Sequence, residues 1–313
     1  MKLPSRASRR WPLVILTLVL LFASGFAVVE TNLLGVGARF ERVAARVATF
    51  IDPPPQRSTL PTVVVTPEPS PTVAPTPQDT LAPSVTASPS PTPIVREPVD
   101  VALVPNQEAV FASQLTDEDC AVAATQMVLA ILGLGDTSEA FQQEIKDRIG
   151  EWEAFDDSQN GDWGPAAVGL ALADYGAPDY EVRAYDSYAD ALRGSAIAIT
   201  ELDKPVVIFP WWGAHSWVMT GYRADADPTL FADATINGAY ILDPWYPRVS
   251  SIWGPSDGPG NFEDLGELER NWPVYQGPPG YEQIGPGWSR PEGAYPERDG
   301  KFVVLMPTTP RDT

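Results

Sequence analysis

The sequence contains one cysteine and one histidine, and together these two residues could carry out nucleophilic chemistry. Cys120 lies in TDEDCAVAATQ, and His215 lies in GAHSWVMTGY, 95 positions later. A thiol attacks a carbonyl carbon efficiently only as the thiolate, and a neighbouring imidazole can take its proton. Each residue alone also has a structural explanation, because a free cysteine often packs as a small apolar group and a histidine can be a satisfied core residue. The chemical interpretation therefore requires a fold that brings them together.

Two further residues have the types that such a pair needs. Asp243, in ILDPWYP, could hold the tautomer and the orientation of the imidazole. Asp-Pro is also a common turn starter, so Asp243 is informative only together with the pair. Gln114, six positions before Cys120, could donate an amide N–H to the oxyanion that forms during attack, with the Cys120 backbone N–H as the second donor.

The cysteine is predicted to lie at the start of a buried helix. Residues 116–135 have helix-start residues, with Thr116 or Asp117 as the N-cap, and glycines at the end. The body of this segment is apolar nearly all the way round, which predicts a central, buried helix. Cys120 falls in its first turn, where the positive end of the helix dipole favours a thiolate.

Short β-branched and aromatic runs in the second half of the chain predict one antiparallel sheet. The predicted strands are at 205–210, 216–222, 239–242 and 301–306, and further helices are predicted at 138–149, 165–175 and 262–272. His215 opens the second of these strands and Asp243 follows the third, so pairing of the two strands would place them side by side. Helices followed by strands predict an α+β domain, with the cysteine-bearing helix packed on the antiparallel β-sheet.

Four residues occur in the order found in a known family: Gln114, Cys120, His215 and Asp243. Their order and spacing resemble the C39-like cysteine peptidase family of the papain-like superfamily, over roughly residues 106–250. The resemblance implies a papain-like cysteine peptidase fold. It also implies that the glutamine supplies the oxyanion hole, the cysteine attacks, the histidine acts as general base and acid, and the aspartate orients the histidine. Family members often have Gly-Pro after the cysteine, whereas Ala-Val follows it here.

The tryptophans around His215 are candidate substrate contacts. Trp211, Trp212 and Trp217 could line a cleft, and aromatic packing under the sheet is the alternative. The favoured function is hydrolysis of peptide bonds in a peptide or protein substrate by a Cys-His-Asp triad. A transglutaminase-like acyl transferase is a variant of this hypothesis. A catalytically silent papain-like binding module for peptide or glycan at the cell surface is the alternative of another class.

Charge and composition argue against several other partners. Residues 99–313 carry 12 Lys or Arg against 35 Asp or Glu, a net charge of −23, which repels nucleic acid and anionic lipid. One cysteine and one histidine provide no soft-ligand cluster, and the acidic runs lack the spacing of a calcium loop. We therefore expect no nucleic acid, no metal and no cofactor.

The N-terminal segments predict a protein tethered to a membrane. Residues 1–10 form a basic cytoplasmic segment, and residues 11–29 are uncharged over 19 positions, which fits a transmembrane signal anchor or a cleaved signal peptide. Residues 30–52 predict a juxtamembrane amphipathic helix. Residues 53–98, with 14 Pro and 13 Ser or Thr, predict an extended linker. The peptidase domain at 99–313 would then be extracytoplasmic, or secreted if the signal is cleaved.

Overall fold

The computed structural model describes residues 60–66, 94–152, 163–276 and 296–311. All of them belong to the second of the two units into which the chain divides, Ser58–Thr313. The predictions made for residues 1–10, 11–29 and 30–52 lie outside the described residues. Within the described part, no helix combines the length and the apolar character needed to cross a membrane.

The described residues form a mixed α/β structure with one large sheet and five α-helices. The strands are β1 (Thr62–Val65), β2 (Val99–Ala102), β3 (Tyr180–Tyr185), β4 (Val206–Ile208), β5 (Trp217–Ala224), β6 (Ile236–Leu242), β7 (Val249–Ser250), β8 (Gly254–Pro255), β9 (Asn261–Asp264) and β10 (Phe302–Pro307). The α-helices are α1 (Cys120–Leu132), α2 (Glu139–Asp147), α3 (Pro165–Asp174), α4 (Tyr188–Leu202) and α5 (Leu265–Asn271).

The large sheet has eight strands, with β5 near its middle. Its order is β1-β3-β10-β4-β5-β6-β9, and β2 pairs with the far half of β5. All described pairings in this sheet are antiparallel except that of β1 with β3. Strands β7 and β8 form a separate two-stranded sheet. Strand β5 is thus hydrogen-bonded along both edges, which makes it a firm support for the residues at its ends.

Helices cover both faces of the sheet. Successive residues of a strand point to opposite faces, so Val207 packs in one hydrophobic cluster and Val206 in the other. The first cluster contains the buried residues of α1 and α3, and the second contains those of α4 and α5. The prediction that the cysteine-bearing helix packs on the sheet is confirmed, but helices lie on the opposite face as well.

Helix α1 is buried as predicted, and Cys120 is its first residue. Ten of its thirteen residues are buried, and Gly133 ends it in a left-handed conformation. The N-cap is Asp119, so the prediction of Thr116 or Asp117 is wrong. The Asp119 carboxylate accepts the Thr116 N–H at 3.0 Å and pairs with Lys146 at 2.9 Å. These contacts hold the preceding residues in a turn, which delays the start of the helix.

Four elements, β1, β2, β3 and α4, do not follow the predicted order of helices and then strands. Strand β3 and helix α4 lie between the helices and the predicted strands. Strand β1 lies inside the segment 53–98, which was predicted to be a linker only, and it pairs in parallel with β3. The linker prediction is wrong over Thr62–Val65, because TVVV is a proline-free run of β-branched residues that fits a sheet edge.

Candidate active site

Cys120 lies on the wall of a small surface depression. Residues from the start of α1, from the end of β4 and from the turn before β5 contribute to its lining. Among them are Cys120, Ala121, Trp163, Phe209, Ala214 and His215. The Cys120 side chain is partly exposed, and its Sγ lies 3.9 Å from the Ala214 carbonyl oxygen. The thiol is therefore open to small molecules on one side and beside the imidazole on the other.

His215 and Asp243 are brought together by the pairing of β5 with β6. In this antiparallel pair Val218 lies opposite Leu242, so the residues just before β5 and just after β6 meet at one end of the sheet. His215 Nε2 lies 2.7 Å from Asp243 Oδ1, and the two residues are only 2% and 5% exposed. The Asp243 carboxylate also accepts the Trp245 backbone N–H at 2.8 Å, which fixes its direction.

The two ring nitrogens of His215 serve different neighbours. Nε2 faces Asp243, so Nδ1 is the ring nitrogen left for the Cys120 thiol, which contributes to the raised pKa of the imidazole. Burial lowers the pKa of His215, but the charge of Asp243, its hydrogen bond and the contact with Cys120 outweigh burial and raise this pKa to about 9. Burial alone would raise the pKa of Asp243. The charge of His215 and the hydrogen bond with it outweigh burial and hold this pKa below the ordinary value of an aspartate. The arrangement favours an imidazolium paired with a carboxylate.

The three tryptophans that are candidate substrate contacts lie in different surroundings. None of Trp211, Trp212 and Trp217 is among the residues that line the depression. Trp217 is 3% exposed, so the prediction that it contacts substrate is wrong, because its side chain packs in the core on the α4 face of the sheet. The ring of Trp211 is stacked on His215. Trp212 is the most exposed of the three, at 36%, and a substrate contact there stays a prediction.

Gln114 is buried, but its amide does not reach the depression. Its Nε2 donates to the Thr116 carbonyl at 2.7 Å, and its backbone N–H donates to Pro244 O at 2.9 Å. The side chain thereby fixes the loop before α1 to the loop after β6. The sequence gives the spacing of Gln114 but no direction for its side chain, and the oxyanion role of Gln114 stays a prediction.

Several residues around the site escaped the sequence analysis. Trp163 and Phe209 form apolar walls of the depression, and Trp245 packs edge-on against His215 at 6.4 Å. Trp253 lies parallel to Trp211 with ring centroids 6.0 Å apart. The ten tryptophans of the chain were an available signal, because large aromatic residues so often support sites of recognition.

An acidic cluster lies near the catalytic candidates. Asp257, Glu263 and Glu267 each place one carboxylate oxygen within 4.8 Å of the others. Burial raises the pKa of Glu263, and the negative charges of Glu267 and Asp257 raise it further, to about 8. Carboxylates crowded in this way retain a proton near neutral pH. The expectation of no metal and no cofactor stays a prediction.

Comparisons with known proteins give little further information. No family model and no curated protein matches the chain. One matching solved structure is described as a crystal structure of a double glycine motif protease from AMS/PCAT transporter in complex with the leader peptide. It is 16% identical with a TM-score of 0.32, and the match covers 63% of this chain and 91% of that chain. At this TM-score the likeness fixes neither fold nor function.

Proposed function

We propose that this protein is a cysteine peptidase with a papain-like fold, in which Cys120, His215 and Asp243 form the catalytic triad. The observation that carries the proposal is the 2.7 Å contact between His215 Nε2 and Asp243 Oδ1, with the thiol of the partly exposed Cys120 on the other side of the same ring. A nucleophile, a base and an orienting acid in this order form the constellation that acyl transfer requires.

The first half of the proposed reaction forms a thioester. His215 holds the proton of the Cys120 thiol, and the thiolate sulfur attacks the carbonyl carbon of the peptide bond. The carbonyl oxygen becomes an oxyanion, which accepts the Cys120 backbone N–H, a group in the first helical turn with no carbonyl partner inside the helix. His215 then gives its proton to the amide nitrogen, the C–N bond breaks, and the amine leaves.

The second half regenerates the thiol. A water molecule attacks the thioester carbonyl while His215 takes its proton. The C–S bond breaks, the acid product leaves, and the proton returns to the sulfur. Throughout both halves the Asp243 carboxylate stays charged and accepts the His215 Nε2–H, which keeps Nδ1 directed at the sulfur.

The alternative class, a catalytically silent binding module, receives no support from the site. That hypothesis expects the thiol to be buried away from any cleft, whereas the Cys120 side chain lines the depression beside His215. An acyl transferase would use the same triad and differ only in the acceptor of the acyl group. We therefore favour hydrolysis, with water as the acceptor.

We also propose that the domain is held outside the cytoplasm by the N-terminal segment. The support is the basic start of the chain, the 19 uncharged residues at 11–29 and the Pro-rich stretch before the domain. Labelling of Cys120 in intact cells with a thiol reagent that cannot cross membranes tests this part. Labelling only after the cells are lysed would contradict it.

The test of activity is cleavage of a diverse peptide mixture by the purified full-length protein. We expect new N-termini with the wild type, none with Cys120→Ala, and a rate lowered about 1000-fold or more with His215→Gln. Asp225→Asn is the control, because Asp225 follows the opposite end of β5 and pairs with Arg96 on the surface. Cleavage that persists in Cys120→Ala, or its absence in the wild type, would refute the proposed function.

A further inference from the structure

The indole ring of Trp211 lies flat on the imidazole of His215. The ring centroids are 4.0 Å apart and the ring planes are 15° from parallel. Trp245 and Trp217 approach the same imidazole edge-on, with centroids 6.4 Å away. Trp211 is therefore the aromatic residue that covers a face of the imidazole.

The backbone that places Trp211 there is unfavourable. Trp211 has φ 56° and Trp212 has φ 60°, followed by Gly213 at 88°. Two consecutive bulky residues in the left-handed region are rare, because their side chains crowd the backbone. Among the described residues the buried Trp211 Nε1–H also has no hydrogen-bond partner. A costly conformation of this kind persists where the surrounding structure enforces it, and such places cluster at functional sites.

Three contacts enforce this conformation. Trp253 lies parallel to Trp211 at 6.0 Å, with 2° between the ring planes, so the indole has parallel rings as neighbours in both Trp253 and His215. The Gln276 N–H donates to the Trp212 carbonyl at 3.0 Å. The ring of Tyr275 fills the space beside Gly213, where an added Cβ would come within 2.3 Å of it. The turn is therefore held in place from outside.

An imidazole that serves two partners needs its ring plane fixed. Rotation about the Cβ–Cγ bond would move Nε2 away from Asp243 and Nδ1 away from Cys120 at the same time. An aromatic face stacked on the ring blocks that rotation, excludes water and attracts the positive charge of an imidazolium. The Asp243 carboxylate holds only one edge of the ring.

We propose that Trp211 is a positioning residue, which holds the His215 ring in the plane that joins Asp243 to Cys120. This proposal rests on the proposed function, because it assigns a task within the same triad. It replaces the expectation that Trp211 binds substrate, since its indole is stacked on His215 and lies parallel to the ring of Trp253. Trp211 acts through His215 and does not touch the reacting atoms.

The test is the pH profile of alkylation of Cys120, the one thiol in the chain, by iodoacetamide in the full-length protein. We expect the wild type to react rapidly from about pH 6, because an imidazolium holds the thiolate. Trp211→Leu should react at least about tenfold more slowly at pH 6 and at the same rate as the wild type at pH 10, where hydroxide ionises any thiol. Trp211→Phe, which keeps an aromatic face, should recover most of the rate at pH 6.

Trp272→Leu is the matched control. Trp272 is an indole that packs against aromatic rings, and its Nε1–H, like that of Trp211, has no partner among the described residues. It lies in the second hydrophobic cluster, on the α4 face. Its loss should lower stability without changing the pH profile. A Trp211→Leu profile equal to that of the wild type overturns the proposal, and so does a uniform loss of rate that includes pH 10.

Failure of the proposed function gives a different result. In that case the wild type and His215→Gln react alike at pH 6, and both follow the ionisation of an ordinary thiol. If the wild type is faster than His215→Gln while Trp211→Leu equals the wild type, the triad stands and only the role of Trp211 is refuted.

Discussion

Replacing Asp243 by Asn tests the electrostatics of the site directly. The carboxylate lies 2.7 Å from His215 Nε2, and both side chains are buried. Burial by itself lowers the pKa of His215, yet the charge and hydrogen bond of Asp243, together with Cys120, raise it from 6.5 to about 9. At 1.36 kcal/mol per pKa unit, the net stabilisation of the imidazolium is about 3 kcal/mol.

Asparagine keeps the size of Asp243 but removes its charge. In Asp243→Asn we expect the pKa of His215 to fall to about 6.5 or lower, because burial then opposes the charged ring without a counter-ion. At pH 7.5 the ring becomes mostly neutral, and alkylation of Cys120 should slow by about 100-fold. Size and packing are conserved. At pH 9.5, above the pKa of the wild-type ring, the substitution should therefore change the free energy of unfolding much less than at pH 7.5.

The assay uses the fact that His215 is the one histidine in the chain. An NMR titration of the imidazole Hε1 proton therefore follows one signal in each variant, with no assignment problem. Asp225→Asn, at the far end of β5, is the control and should leave the pKa at about 9. Titration of the wild-type histidine near 6.5, or an unchanged midpoint in Asp243→Asn, would refute the reasoning.

Three further predictions concern the residues around the triad. Gln114→Ala should lower the free energy of unfolding by about 1 to 2 kcal/mol, measured in urea, because the Thr116 carbonyl loses the shortest of its hydrogen bonds. A kcat loss of about 100-fold without loss of stability would instead restore the predicted oxyanion role of Gln114. Glu263→Gln should be more stable than the wild type by about 1 to 3 kcal/mol above pH 8 and equal to it below pH 4.5. Between pH 4.5 and 8 the folded wild type binds an extra proton at Glu263, so its stability falls as the pH rises through this range. Parallel stability curves for the two proteins would contradict this prediction. Gly213→Ala should slow alkylation of Cys120 and should cost more stability than Gly133→Ala. Both glycines have positive φ, but of the two only Gly213 faces the Tyr275 ring. Equal losses of stability in thermal unfolding would contradict the role of that contact.

Residues with strong local patterns were predictable from the sequence. The apolar run after Cys120 and the glycine at 133 predicted α1, and the β-branched runs predicted β4, β5, β6 and β10. Pairing of β5 with β6 then placed His215 beside Asp243, as their positions at the strand ends had indicated. These features follow from short-range periodicity and from the rule that adjacent strands pair.

Features set by tertiary contacts were not predictable in this way. Thr62–Val65 lies in proline-rich surroundings, and it becomes a strand by pairing with the edge of β3. The direction of the Gln114 amide depends on the Thr116 carbonyl, and the task of Trp211 depends on two consecutive left-handed residues that no propensity favours. In each case the residue type was visible, while the orientation depended on contacts that the sequence pattern does not specify.

The two-sided pairing of β5 has a consequence for how this molecule responds to heat. His215 and Asp243 are fixed to the ends of strands that are among the most completely hydrogen-bonded in the described fold. Segments of that kind exchange their amide hydrogens only through global opening. Local fraying therefore leaves the imidazole and the carboxylate in place. Thermal inactivation should coincide with cooperative melting of the sheet instead of preceding it, so that any molecule still folded remains fully competent.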